Sequence, residues 1–197
     1  MEQTTAQPHA LPLDTNTGID NRKIGVWLFL GSEVMFFSSL IGAYLLTRAS
    51  ALKPVDIIGS AIPLISLNTF LLICSSLTMA LSLAFARRGS QIGLRLSLLA
   101  TILLGATFVA IQYTEWNKVY TEGMTPFGSP FGSMFYLLTG FHGMHVIGGV
   151  GWNFLVWLKA MRGGFSAGNN AGIEFAGLYW HFVDLVWIVL FTIIYLL

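Results

Sequence analysis

The fold class is decided by residues 24–47, which read IGVWLFLGSEVMFFSSLIGAYLLT. At about 1.5 Å per residue, this run forms a helix about 36 Å long, and a bilayer span needs about 20 mostly apolar residues. Arg22 and Lys23 precede the run and Arg48 follows it. Basic side chains at both ends can extend to the two membrane surfaces while their stems stay in apolar surroundings. The stretch therefore predicts a transmembrane helix.

Further apolar runs of similar length follow along the chain. They lie at residues 64–86, 92–116, 132–159 and 173–197. The predicted fold is all-α: an integral membrane bundle of five transmembrane helices that forms one domain over residues 23–197. Residues 1–22 are polar and lack both the basic start and the apolar run of a signal peptide, so they predict a mobile tail.

The composition supports a membrane location and excludes several classes of function. Hydrophobic residues make up 55% of the chain and charged residues 10%, whereas an average soluble domain has about a quarter charged residues. The formal net charge of +1 argues against a nucleic-acid partner, which requires a basic patch. The single cysteine, Cys74, allows no internal disulfide framework and no cysteine-based metal cluster. Lipids and other proteins are the expected partners.

The lysines and arginines of the short loops predict the orientation. With the N-terminus inside, the inner side holds seven of them and the outer side three. This bias favours an inner N-terminus and an outer C-terminus. The inner residues proposed to contact lipid headgroups or the inner surface are Arg22, Lys23, Arg87, Arg88, Lys159 and Arg162.

Ionisable side chains within the spans are costly, and each one suggests a function. The acidic and histidine residues of this kind are Glu33, His142, His145, His181 and Asp184. Counted from the helix ends, they fall in one layer near the middle of the membrane. We expect them to point into the bundle or into the interface with a partner.

Glu33 is surrounded on its own helix by apolar side chains, Phe29, Leu30, Phe36 and Phe37. That helix offers no charge partner. Glu33 is therefore expected to be protonated at neutral pH or hydrogen-bonded across a helix contact. It could handle protons, face lipid, or make a structural hydrogen bond, and the last is favoured because buried polar groups usually have partners.

His142 and His145 lie three residues apart and share a helix face. Such a pair could bind a metal ion or haem. One pair supplies too few ligands, because a closed zinc site needs about four and a catalytic site about three. Neighbouring glycines would let a second helix approach closely, so hydrogen bonds across a tight contact are favoured and no metal site is predicted.

His181 and Asp184 are also three residues apart. They predict a charge-assisted hydrogen bond on one face of the fifth span. A proton relay would need further titratable groups towards both surfaces, and beyond Asp184 this span offers only Tyr195. The structural interpretation is therefore favoured over a relay.

Several segments resemble the cytochrome c oxidase subunit III family. The most specific are residues 27–37 (WLFLGSEVMFF), 139–149 (TGFHGMHVIGG) and 179–187 (YWHFVDLVW), and shorter matches occur at 67–69 (LNT), 103–105 (LLG) and 112–115 (QYTE). The resemblance is collinear from about Lys23 to Leu197.

The resemblance implies an accessory subunit that binds no haem or copper itself. It would pack on oxidase subunit I, in a complex with subunit II, and those partners would carry the haem and copper. The family supports assembly, sustained turnover and proton uptake of an enzyme that passes electrons from cytochrome c to oxygen and pumps protons. Its members also hold structural phospholipid.

The longer family members have seven helices, and the first two have no counterpart here. Another chain could supply them. Five-helix forms are common in prokaryotic oxidases, which points to a bacterial or archaeal cytoplasmic membrane.

Three other functions stay open from the sequence. A quinol oxidase subunit III shares the late motifs, although Glu33 after Ser32 favours cytochrome c as the donor. An independent channel or transporter would need a polar pathway and usually interrupted helices. An assembly factor would leave the complex after maturation.

Overall fold

The computed structural model describes residues 21–50, 61–166 and 168–197. The helices in these ranges are α1 (Asn21–Ser50), α2 (Ile62–Arg87), α3 (Gln91–Thr121), α4 (Pro130–Met161) and α5 (Ala171–Phe191), which continues into a π-helical turn (Thr192–Leu196). The predicted all-α class is confirmed, and α1, α2, α3 and α5 are long and apolar enough to cross a membrane.

All five helices begin slightly before the predicted spans, and α1 to α4 also end slightly beyond them. The first starts at Asn21, so the last two residues of the predicted tail, residues 21 and 22, are helical. The rest of that tail and the loop at residues 51–60 lie outside the described residues. Thus the apolar runs located the helices, and polar residues at their ends extend them.

Local signals mark the helix ends. Ser129 caps α4, and its side chain accepts a hydrogen bond from the Gly132 amide at 3.0 Å. Proline follows at the first position of α4 and in the first turn of α2, where it removes no intrahelical hydrogen bond. Gly89, with a φ of 73°, makes the tight turn between α2 and α3.

Four of the helices form a ring. Helix α2 packs on α3, α3 on α4, α4 on α5, and α5 on α2. Helix α1 packs on α4 and α5 from outside the ring. Both α1 and α5 begin at the same end of the bundle, where Lys23 pairs with Glu174 at 2.7 Å.

Two tryptophans of α5 fill the centre of the ring. Trp180 is buried between Gly105 of α3 and Gly149 of α4, and its indole N–H donates to the Ser75 hydroxyl at 3.0 Å. Trp187 donates in the same way to Thr69 at 2.9 Å. Each tryptophan therefore buries a large ring and satisfies its single donor on α2.

Most of the basic side chains of the described residues lie at one end of the bundle, which we call the basic end. It contains the start of α1, the α2–α3 turn, the start of α3 and the end of α4. There the Arg95 guanidinium donates to the Ala160 carbonyl at 3.2 Å, and the Gln91 amide donates to the Phe165 carbonyl at 3.0 Å. These contacts tie the two inter-helix connections of this end together.

Candidate functional site

The structure brings Glu33 of α1 and His145 of α4 together in the middle of the bundle. Glu33 Oε2 lies 3.2 Å from His145 Nε2, and the two side chains are 17% and 19% exposed. Phe36 and Phe37 flank the imidazole, with the Phe37 ring centroid 5.1 Å away. The partner that α1 itself could not offer therefore comes from a helix more than a hundred residues later in the chain.

The hydrogen bonds of His145 determine what the pair can do. Its Nδ1 lies 2.7 Å from the Phe141 carbonyl oxygen, which can only accept, so Nδ1 carries a hydrogen. The contact between Nε2 and Glu33 then requires one further proton. That proton sits either on the carboxyl of Glu33 or on the imidazole, and the pair is neutral overall in both cases.

We expect Glu33→Gln to remove this shared proton. The change should abolish a protonated-carboxyl infrared band or shift the His145 imidazole resonances. It should cost only about 0.5–1.5 kcal/mol, because the glutamine amide can still donate a neutral hydrogen bond to His145. The matched control is Glu174→Gln, at the basic end, which should alter neither signal. Unchanged carboxyl and imidazole signals in Glu33→Gln would contradict the shared proton.

His142 lies apart from this pair, one helical turn earlier on α4. Its ring stacks on Trp187 with centroids 4.9 Å apart, and the edges of Phe108 and Phe37 complete the enclosure. Both ring nitrogens are buried and have no hydrogen-bond partner among the described residues. His142 and His145 therefore share a helix but have different surroundings, and the structure does not bring them to one common ligand.

His181 and Asp184 make no direct hydrogen bond to each other. Ser76 of α2 places its hydroxyl 2.6 Å from His181 Nδ1, so the imidazole bonds a neighbouring helix. The Oδ1 atom of Asp184 is buried and has no hydrogen-bond partner among the described residues. Asp184 is buried, whereas His181 is exposed on the surface of this chain, so for His181 the expected position at a partner interface stays a prediction.

A second buried carboxyl was not identified from the sequence. Glu115 of α3 is 1% exposed and accepts hydrogen bonds from the Tyr195 hydroxyl and the Gln112 amide. Trp116 and Lys118 beside it form the aromatic and charged mixture typical of a headgroup boundary, which disguises a buried position in the sequence. The available signal was Gln112, which precedes it by three residues and shares its helix face.

The six basic residues proposed for surface contacts all lie at the basic end. Lys23 forms an ion pair with Glu174, and the Lys159 ammonium nitrogen lies 4.8 Å from the centroid of the Phe165 ring. The side chains of Arg87, Arg88 and Arg162 are exposed. The remaining residue, Arg22, is also exposed and makes an interaction within the chain.

The polar groups bind helices to one another. Within residues 21–50, 61–166 and 168–197, no three histidine, cysteine or acidic side chains lie close enough together to hold a metal ion. The arrangement can hold a proton at Glu33 and His145 and fix helix contacts at Ser76 and Glu115. These features define a multi-pass membrane protein whose intramembrane polar residues mostly pair between helices.

The family model for cytochrome c oxidase subunit III matches residues 4–197, and the chain belongs to this family. It is 41% identical over 180 residues to a probable cytochrome c oxidase subunit 3 of Mycobacterium leprae, covering 87% of this chain and 86% of the relative. It is 33% identical over 204 residues to the cytochrome c oxidase subunit 3 of Bacillus sp. strain PS3, covering 100% and 96%. It is also 34% identical over 177 residues to the quinol oxidase subunit 3 of Bacillus subtilis, covering 88% and 86%.

Proposed function

We propose that this chain is the non-redox accessory subunit III of a proton-pumping terminal oxidase that reduces oxygen with electrons from cytochrome c. The observation that carries the proposal is the family match over residues 4–197, together with relatives matched over most of their own length. The intramembrane groups support an accessory role because they are used in helix contacts. The haem and copper would lie in partner subunits I and II, with this chain packed on subunit I.

The proposed role is to support assembly, sustained turnover and proton uptake by the catalytic subunit. The basic end, with exposed Arg87, Arg88 and Arg162, supports this role because cations at the surface attract anionic headgroups and shape the field where protons enter. Structural phospholipid is the expected ligand there. The bacterial relatives support a bacterial cytoplasmic membrane as the location.

A quinol oxidase is the second candidate, because relatives of both kinds match at similar identity. Glu33 favours cytochrome c. The donor is set by subunit II, so the test is to purify the oxidase in mild detergent and determine whether its subunit II binds copper. The same preparation should retain this chain in stoichiometric amount, whereas an assembly factor would be absent from it.

We further propose that α4 is a fifth crossing and that the basic end faces the cytoplasm. Helix α4 has 32 residues, about 48 Å, and it completes the ring between α3 and α5. A helix in the ring must cross the same thickness as its neighbours. The basic end carries most of the lysines and arginines, which favours the inner side.

Cysteine labelling should confirm this topology. In a Cys74→Ala background, an impermeant maleimide added to intact cells should label Phe127→Cys, whose native side chain is 99% exposed between α3 and α4. Arg88→Cys and Arg162→Cys should react only after the membrane is opened. Labelling of the Arg162→Cys variant from outside, together with Phe127→Cys, would show that α4 does not cross.

A further inference from the structure

His181 is the one acidic or histidine side chain within the helices that is exposed, among the residues that the structure describes. The others are mostly or fully buried: Glu33, Glu115, His142, His145, Glu174 and Asp184. A position on the surface of an intramembrane helix is expensive for an imidazole if acyl chains cover it. The exposure therefore needs a covering group that can form hydrogen bonds.

The depth of His181 excludes a lipid headgroup as that covering group. His181 is ten residues from the start of α5 at Ala171, or about 15 Å along the helix. The hydrocarbon core is about 30 Å thick, so the imidazole lies near its centre. A polar group at this depth is best supplied by another protein helix.

The residues around His181 form a surface on which another helix can pack. Helix α5 is flanked by α2 and α1, which both pack on it. Leu185 and Ile188 are exposed and share the face of α5 that carries His181, with Ile73 of α2 exposed beside it. On the other side, Val34 of α1 and Leu185 line an open apolar notch of about 130 Å³. A projecting side chain of a second helix can enter this notch.

The ring of His181 is already oriented for such a contact. Its Nδ1 is engaged by the Ser76 hydroxyl at 2.6 Å, which leaves Nε2 as the nitrogen available to a partner. Ser76 belongs to α2, which packs on α5, so this bond fixes the imidazole against the neighbouring helix. A fixed imidazole loses little rotamer freedom when it forms a further hydrogen bond.

We propose that the face formed by Ile73, Ser76, His181, Leu185, Ile188 and Val34, here called the His181 face, docks a transmembrane helix of the catalytic oxidase subunit. A polar side chain of that helix, at mid-membrane depth, hydrogen-bonds His181 Nε2. This inference rests on the proposed function and adds to it the surface through which the subunit is held.

Photo-crosslinking in the intact oxidase tests the face. A benzophenone amino acid replaces Leu185 on the His181 face. In two control variants it replaces Leu103 of α3 or Ile147 of α4. The three native side chains are similarly exposed, at 61%, 58% and 56%. The Leu185 position should crosslink to the catalytic subunit many times more than either control. Crosslinks from a control face with none from Leu185, or crosslinks from Leu185 only to lipid or to a second copy of this chain, would overturn the proposal. If the chain does not co-purify with an oxidase at all, the proposed function fails as well.

Substitution of His181 tests the hydrogen bond separately. His181→Ala should weaken retention of the chain in the detergent-purified oxidase by about threefold, the change that corresponds to an average interhelical hydrogen bond in a membrane. His181→Gln, which keeps a polar group, should retain more of the chain than His181→Ala. Leu103→Ala is the control and should change retention little. Equal retention in all three variants would show that His181 makes no contact with the partner.

Discussion

An oxidase assembled without this chain should begin turnover at a nearly normal rate and then lose activity to a small fraction of its starting value. The spectra of its metal centres should stay unchanged, because the proposed accessory role places the haem and copper in the partner subunits. The loss should be greater at high pH, where protons are scarce and their delivery limits the rate. Oxygen uptake recorded continuously at two pH values, with spectra before and after, measures all three effects.

Two outcomes separate this accessory role from a catalytic one. Adding back the purified chain should restore sustained turnover, and a chain with Gly151→Ala should do so equally well, because nothing lies within 4 Å of the added methyl group. Immediate and complete loss of oxygen reduction in an assembled, fully metallated complex would contradict the accessory role.

Gly149→Ala should destabilise the helix bundle by about 1–3 kcal/mol, the usual cost of overpacking a dense interior. A Cβ at this position would lie 2.8 Å from two ring carbons of Trp180, and that ring is held on its other side by Gly105. Trp180 is 1% exposed and has no free space to move into. The midpoint of unfolding in mixed detergent micelles, followed by tryptophan fluorescence, measures the loss.

Gly151→Ala is the matched control for this change. Gly151 lies on the same helix two residues later, and a methyl group added there meets open space. The stability of the Gly151→Ala variant should therefore stay the same or rise slightly. Gly149→Ala combined with Trp180→Phe should cost less than the sum of the two single changes, since the smaller ring leaves room for the methyl group. Equal midpoints for the two alanine variants would show that Trp180 is not wedged between these helices.

The sequence predicted the helices well because their signal is local. Each apolar run is long enough to identify by itself. The ends were placed less accurately. For example, α3 continues to Thr121 rather than stopping near Trp116, because polar residues past the apolar run remain helical.

The polar contacts were harder to predict because they join distant parts of the chain. Glu33 was correctly found to lack a partner on its own helix, but His145 became its partner only when α1 packed on α4. Spacing alone suggested a bond between His181 and Asp184, whereas His181 hydrogen-bonds Ser76 of another helix. A pattern within one helix cannot show which neighbour will compete for its side chains.

The placement of both central tryptophans on α5 has a consequence for biosynthesis. The ribosome delivers helices in chain order, so α1 to α4 enter the membrane while Trp180 and Trp187 are still unavailable. Until then the glycine surfaces of α3 and α4 face an unfilled centre, and α1 lacks one of its two neighbours. Helix α5 therefore completes the ring by packing between α4 and α2. A nascent chain stalled before α5 would be a loose intermediate, recognisable to the membrane quality-control machinery as unfinished.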